Sequence, residues 1–181
     1  KLLQTSGEAS EAEIEQMSRL AALLLFSAQG IVFLHAGQEF GRSKRGHHNS
    51  YNLPDAINQI DWTLKQRRRG LYDYYRGLVA LRKAHPALRL RGRKDVEYRV
   101  WFGDAPREGC IAHILHSAEL PGESAQAMVL LYNGLNHAVE FPLGEGVWSI
   151  HADATRASLE PLGTIEHRVS VPAHAGAMLC R

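Results

Sequence analysis

The sequence lacks the raw material for several common functions. Its 181 residues hold two cysteines, Cys110 and Cys180, far apart and outside any close Cys or His spacing, so a structural zinc site is not expected. Both read as small buried hydrophobes. A net charge of +2 is too weak a field to draw nucleic acid or an anionic membrane surface. The longest apolar run, Leu20 to Phe26, falls far short of the roughly 20 residues of a membrane span. Lys1 to Ser10 lack the basic, apolar and small-residue order of a signal peptide. A start at Lys1 rather than Met suggests a fragment or a processed chain. Internal repeats and low-complexity tracts are absent.

What remains is an ordinary folded chain, 45% hydrophobic and 22% charged, with enough apolar residues for a sizeable core. Its first part reads as helix and buried strand. Ser10-Glu11-Ala12-Glu13 forms a capping box that opens a helix from Glu11 to about Ser27, with Ile14, Met17, Ala21, Leu24 and Leu25 on one face. After Gln29-Gly30, the run Ile31 to Ala36 has the nearly continuous apolar pattern of a parallel strand buried on both faces. A polar, turn-rich loop follows from Gly37 to about Gln59, and loops of this length usually carry function. A second helix, Leu71 to Ala84, stops at His85-Pro86.

Beyond Leu90 the period becomes two. Val96 to Phe102, Cys110 to His116, Met128 to Tyr132, His137 to Pro142, Val147 to His151, Ile165 to Val171 and Ala177 to Cys180 predict an antiparallel sandwich of seven strands. Asn133-Gly134 is the clearest hairpin signal. The expected organisation is α/β over residues 1–87 and all-β over 88–181.

Gly30-Ile31-Val32-Phe33-Leu34-His35-Ala36-Gly37-Gln38-Glu39 resembles the eighth-strand motif of the α-amylase superfamily, which usually has proline where Val32 stands. The tract Asn49-Ser50-Tyr51-Asn52, Asp55, Ile57-Asn58 and Ile60-Asp61-Trp62 is similar to the loop after that strand in type I pullulanases. Arg82, His85 and Pro86 match the family's Arg-x-x-His-Pro helix ending. The resemblance implies the last helix, strand and helix of a (β/α)8 TIM barrel followed by an antiparallel β-sandwich, domain C. It also implies retaining hydrolysis of α-1,6-glucosidic bonds in pullulan, amylopectin or glycogen-derived dextrins. Such chemistry needs two carboxyl groups about 5 Å apart. In the family these follow strands four and five, with a further Asp after strand seven, and all would precede Lys1. No catalytic residue is therefore expected here, and no cofactor. The implied partners are an α-glucan and the remainder of the barrel.

The candidates are weighed accordingly. Asn49, Ser50, Tyr51 and Asn52 offer amides, a hydroxyl and an aromatic face, and are assigned to substrate binding on the resemblance. Glu39 and Asp55 are possible active-site rim residues, Glu39 being favoured as a structural carboxylate. His47-His48 beside Asp55 read as a solvated pair rather than a metal site, because adjacent loop histidines rarely converge. Arg67 to Arg69 read as a solvated helix entry, and Trp62, Trp101 and Trp148 as packing residues. Two rivals stand beside this reading: a carbohydrate-binding or interaction module without catalysis, and a related isoamylase, glycogen-debranching enzyme or α-amylase.

Overall fold

The computed structural model describes residues 9–181. Lys1-Leu2-Leu3, matched to the residues after a family His-Asp element, lie outside the described residues. Helix α1 spans Glu11–Ser27 and opens on the expected capping box. The Glu13 amide donates to Ser10 Oγ at 3.3 Å, and the Ser10 amide donates to Glu13 Oε2 at 2.8 Å. Two short helical turns, α2 (Asp55–Asn58) and α3 (Leu64–Arg67), lead into α4, Arg69–Ala84. Helix α4 buries Leu71, Tyr74, Tyr75, Leu78 and Leu81 along one face, the spacing that its sequence carries. Phe26 of α1 meets Tyr75 edge-on at 5.9 Å. A further helix, α5 (Arg93–Arg99), precedes the strands.

Eight strands follow: β1 Val100–Gly103, β2 Cys110–His116, β3 Ala127–Asn133, β4 Val139–Pro142, β5 Trp148–Ala152, β6 Gly163–Ile165, β7 Arg168–Val171 and β8 Ala175–Cys180. Six of them form one sheet in the order β1-β2-β3-β8-β5-β6, while β4 pairs with β7 in a second sheet, every pairing being antiparallel. The six-stranded sheet is covered on both sides. One face packs Leu115, Met128, Leu130, Tyr132, Met178 and Cys180 against α1 and α4. The other packs Ala112, Val129, Leu131, Ala177 and Leu179 against Val139, Phe141, Val169 and Val171 of the small sheet. Every residue of β3 and β8 is consequently buried.

Several sequence expectations are corrected. The run Ile31 to Ala36 is neither helical nor paired in a ladder among the described residues, and Ala36 already begins a turn. Val32 and Leu34 turn inward to the first core, whereas Ile31 is 99% exposed and Phe33 86%. Alternate burial of this kind leaves a strand with one face covered and no neighbour to bond. The strand expected over Val96 to Phe102 is helical as far as Arg99. Val100 stands opposite Leu115, so the register ends with β2 at His116, and residues 96 to 98 would have had no partner strand. Ile165 to Val171 divides into β6 and β7, which join different sheets across His167, whose φ is 63°.

Asn133-Gly134 does not make a hairpin, because β3 and β4 lie in different sheets. Asn133 is fully buried instead. Its Nδ2 donates to the carbonyls of His137, Val171 and Pro172 at 2.8 to 3.0 Å, and its Oδ1 accepts the Leu135 amide at 2.9 Å. Of the tryptophans, only Trp148 is core; Trp62 is 65% exposed and Trp101 54%. Trp101 and the exposed Phe102 are consecutive in β1 and so face opposite sides of the sheet. Both cysteines are buried and unbridged, as expected. No helix among the described residues is long and apolar enough to cross a membrane.

Candidate functional site

The loop after the segment Ile31 to Ala36 is built on glycine geometry. Gly37 sits in the left-handed region at φ 89°, and a Cβ there would stand 2.8 Å from the Arg42 side chain. The chain then makes a single 3-10 turn, Gln38–Phe40. Glu39 belongs to this turn, and its Oε2 accepts the Gly37 amide at 3.0 Å. Gln38 Nε2 donates to the Tyr75 hydroxyl of α4 at 3.2 Å, and Phe40 is fully buried, its ring 5.7 Å from that of the exposed Trp62. Arg68 Nη1, at the start of α4, reaches the Gly41 carbonyl at 3.4 Å.

Asn58 organises the rest of the loop. Its Nδ2 donates to the carbonyls of Ser50 and Leu53, both at 2.7 Å, and its Oδ1 accepts from Lys44 Nζ at 2.6 Å. Its own carbonyl accepts from Arg42 Nη2, while Arg42 Nη1 donates to the Ala36 carbonyl at 3.2 Å. Glu39 and the tetrad Asn49 to Asn52 are thus joined indirectly, through Gly37, Arg42, Asn58 and Ser50. The tetrad forms a short outer rim. Asn49, Tyr51 and Asn52 are exposed and Ser50 half-buried. Asp55 is exposed in the first turn of α2. Asp61 closes the loop by accepting from the hydroxyl and amide of Thr63, bonds that hold its carboxyl below the ordinary value.

His47 and His48 are exposed, and no group of three potential metal ligands converges among the described residues. Sequence reasoning passed over the residues that set the loop's shape. Asn58 lay in the matched tract and Arg42 just outside it, but hydrogen bonds to backbone carbonyls leave no periodic trace in a sequence.

Arg82, His85 and Pro86 form a structural joint. The Arg82 guanidinium donates to the carbonyls of Phe26, Ala28 and Leu88 through Nη1 and to that of Gly30 through Nη2, at 2.6 to 2.9 Å. It caps the end of α1 and ties down the approach to the segment Ile31 to Ala36. His85, 6% exposed, donates from Nδ1 to Glu123 Oε1 at 2.7 Å. Burial would raise the Glu123 carboxyl, but bonds from His85 and from the amides of Ala125 and Ala87 outweigh it and hold the group below its ordinary value.

No family model matches the chain. It is 49% identical over 79 residues to a pullulanase of Bacillus subtilis, an alignment covering 44% of this chain and 11% of that protein. It is 32% identical over 151 residues to an isoamylase of a Flavobacterium species, covering 73% of this chain and 19% of that one. The chain therefore spans less than a fifth of the length of these relatives. Its backbone superposes on a pullulanase of an Anoxybacillus species, solved with maltotetraose, with a TM-score of 0.90 and 28% identity, over 99% of this chain and 25% of the other. In sequence and backbone alike, this chain belongs with the C-terminal portion of type I pullulanases, among the starch-debranching glycosidases of the α-amylase superfamily.

Proposed function

We propose that the chain is the C-terminal segment of an enzyme that cleaves α-1,6-glucosidic bonds in branched α-glucans with retention, its catalytic carboxylates lying outside these residues. Residues 1–87 then supply the last helix, strand and helix of the catalytic barrel, and residues 88–181 supply the β-sandwich. The observation that carries this reading is the segment Ile31 to Ala36. It alternates in burial, packed through Val32 and Leu34 and bare at Ile31 and Phe33, and is followed at once by the anchored loop. A barrel strand whose two neighbours belong to the rest of the barrel has these properties.

In this reading Asn49, Ser50, Tyr51 and Asn52 face the glucan, while Glu39 and Asp55 stand at the rim. Glucan as ligand is supported by the bound maltotetraose in the related structure. One experiment separates the enzyme fragment from a self-sufficient hydrolase. The isolated chain should release no reducing sugar from pullulan, since retaining cleavage needs a positioned pair of carboxyl groups. Adding the preceding part of the barrel as a separate chain should restore activity. Sustained hydrolysis by the isolated chain, abolished by Glu39→Gln, would overturn the proposal.

A further inference from the structure

A concavity lies where α4 ends against the large sheet, about 24 Å along the 16-residue helix from the Arg68 contact with the loop. Its volume is about 270 Å³, and His85, Ser124, Ser149, His151, Cys180 and Arg181 line it. That is just below the range of drug-sized sites and suits one small ligand. We propose that this cavity binds a small tetrahedral oxyanion of the phosphate class.

The lining is already oriented for a ligand. Both imidazoles are spoken for on one side only: His85 Nδ1–H donates to Glu123, and His151 Nδ1–H donates to the Ser158 carbonyl at 3.1 Å. Their rings stand edge to face, 6.2 Å apart, and neither Nε2 has a hydrogen-bond partner among the described residues. Fixing one ring nitrogen through a buried partner is how proteins aim the other at a ligand. Both rings are more than nine-tenths buried. The hydroxyls of Ser124 and Ser149 also have no partner among the described residues. Arg181 brings the one cation of the lining, and the Glu123 carboxylate behind the wall is already met by His85 and by the Ser124 amide at 2.9 Å. Its Nη1 donates to the Glu145 carbonyl at 2.5 Å and its guanidinium stacks 4.8 Å from the Trp148 ring, which leaves its other nitrogens unassigned at the rim.

A hydrogen phosphate fits this mixed set. Its P–OH can donate to a neutral Nε2, and its other oxygens can accept from the serine hydroxyls and the guanidinium. Arg181, exposed at the rim, favours an anion over a neutral polyol. A soft metal is disfavoured for two reasons. No three ligating groups converge among the described residues. Burial, with the nearby Glu123 charge, also pushes the Cys180 thiol up to about 12, so the thiolate ligand is missing.

The test is calorimetric titration, with sodium phosphate at constant ionic strength, of the longest soluble protein that carries this chain. Saturable binding is expected, weakened at least tenfold by His151→Gln and by Ser149→Ala. Ser149 is only half-buried, so the second variant tests the site even if the first unfolds. Glucose 6-phosphate binding more tightly than inorganic phosphate would identify a sugar ester as the natural ligand, and the reverse order would identify the free ion. Absence of saturable binding, binding unaffected by Ser149→Ala with the fold intact, or zinc uptake lost in His151→Gln without any phosphate effect would each overturn the proposal.

Discussion

Asn133 shows how much one side chain can hold. From inside the protein it fastens β3 to the end of β7 and the residue after it through the Val171 and Pro172 carbonyls, and to the turn before β4 through that of His137. An alanine there would strand three carbonyls and the Leu135 amide, so Asn133→Ala should cost about 3 kcal/mol in urea unfolding. The dipeptide Asn133-Gly134 looked like a turn because short-range sequence says nothing about which sheet the next strand joins. Glu123 supplies a pH signature. Its folded carboxyl titrates below the unfolded one, so its stabilisation is complete above the ordinary glutamate value, about 4.3, and disappears as pH falls through the folded value. The difference in melting temperature between the native protein and Glu123→Gln should therefore be widest from about pH 5 upward and narrow in stronger acid. A gap that stays constant with pH would contradict it. The tetrad and Asn58 were both visible in the matched tract, whereas the anchoring work of Asn58 was not. Replacing Asn58 by alanine in the active enzyme should raise KM for pullulan severalfold, with kcat little changed if the loop only holds substrate.

At the scale of elements, helices were the most legible part. The capping box gave α1 its observed limits, Glu11–Ser27, because caps are local signals, but the expected stripe was misplaced: Ala22, Leu23 and Phe26 face the core while Ala21 and Leu24 are exposed, since the partner elements select which apolar positions turn inward. Strand limits were less legible at β1, β6 and β7. There the outcome depended on where a partner strand ended and on one residue, His167, turning the chain from one sheet to the other. Arg82 was read as part of a motif, yet its work is mechanical, holding four carbonyls at the exit of α1. Arg82→Ala should weaken the fold by about 2 kcal/mol and speed amide exchange in the last turn of α1 and in residues 28–36. Hydrogen exchange read by mass spectrometry would resolve the effect. The expected division of the chain at residue 88 carries the implication that a chain starting near Leu90 would fold independently. The first core argues otherwise, since Leu115, Met128, Leu130 and Met178 need α1 and α4 to cover them. Such a shortened chain should be molten or aggregated, showing no cooperative unfolding transition.

At the scale of the whole molecule, the exposed pair Ile31 and Phe33 sets behaviour in isolation. Large apolar side chains beside unpaired backbone are an invitation to self-association. The isolated chain should sediment as a mixture of species, shifting toward monomer when both residues are replaced by lysine. The uninterrupted packing from α1 and α4 into the six-stranded sheet carries a different implication, one for anyone recombining relatives of this protein. Two natural parents crossed at the apparent border near residue 88 would bring together helix faces and sheet faces shaped for other mates. Leu23, Tyr74, Leu130 and Met178 would have to travel as a set. A viable chimaera would inherit its seam whole, with the crossover placed upstream of α1, where the packing surface has not yet begun.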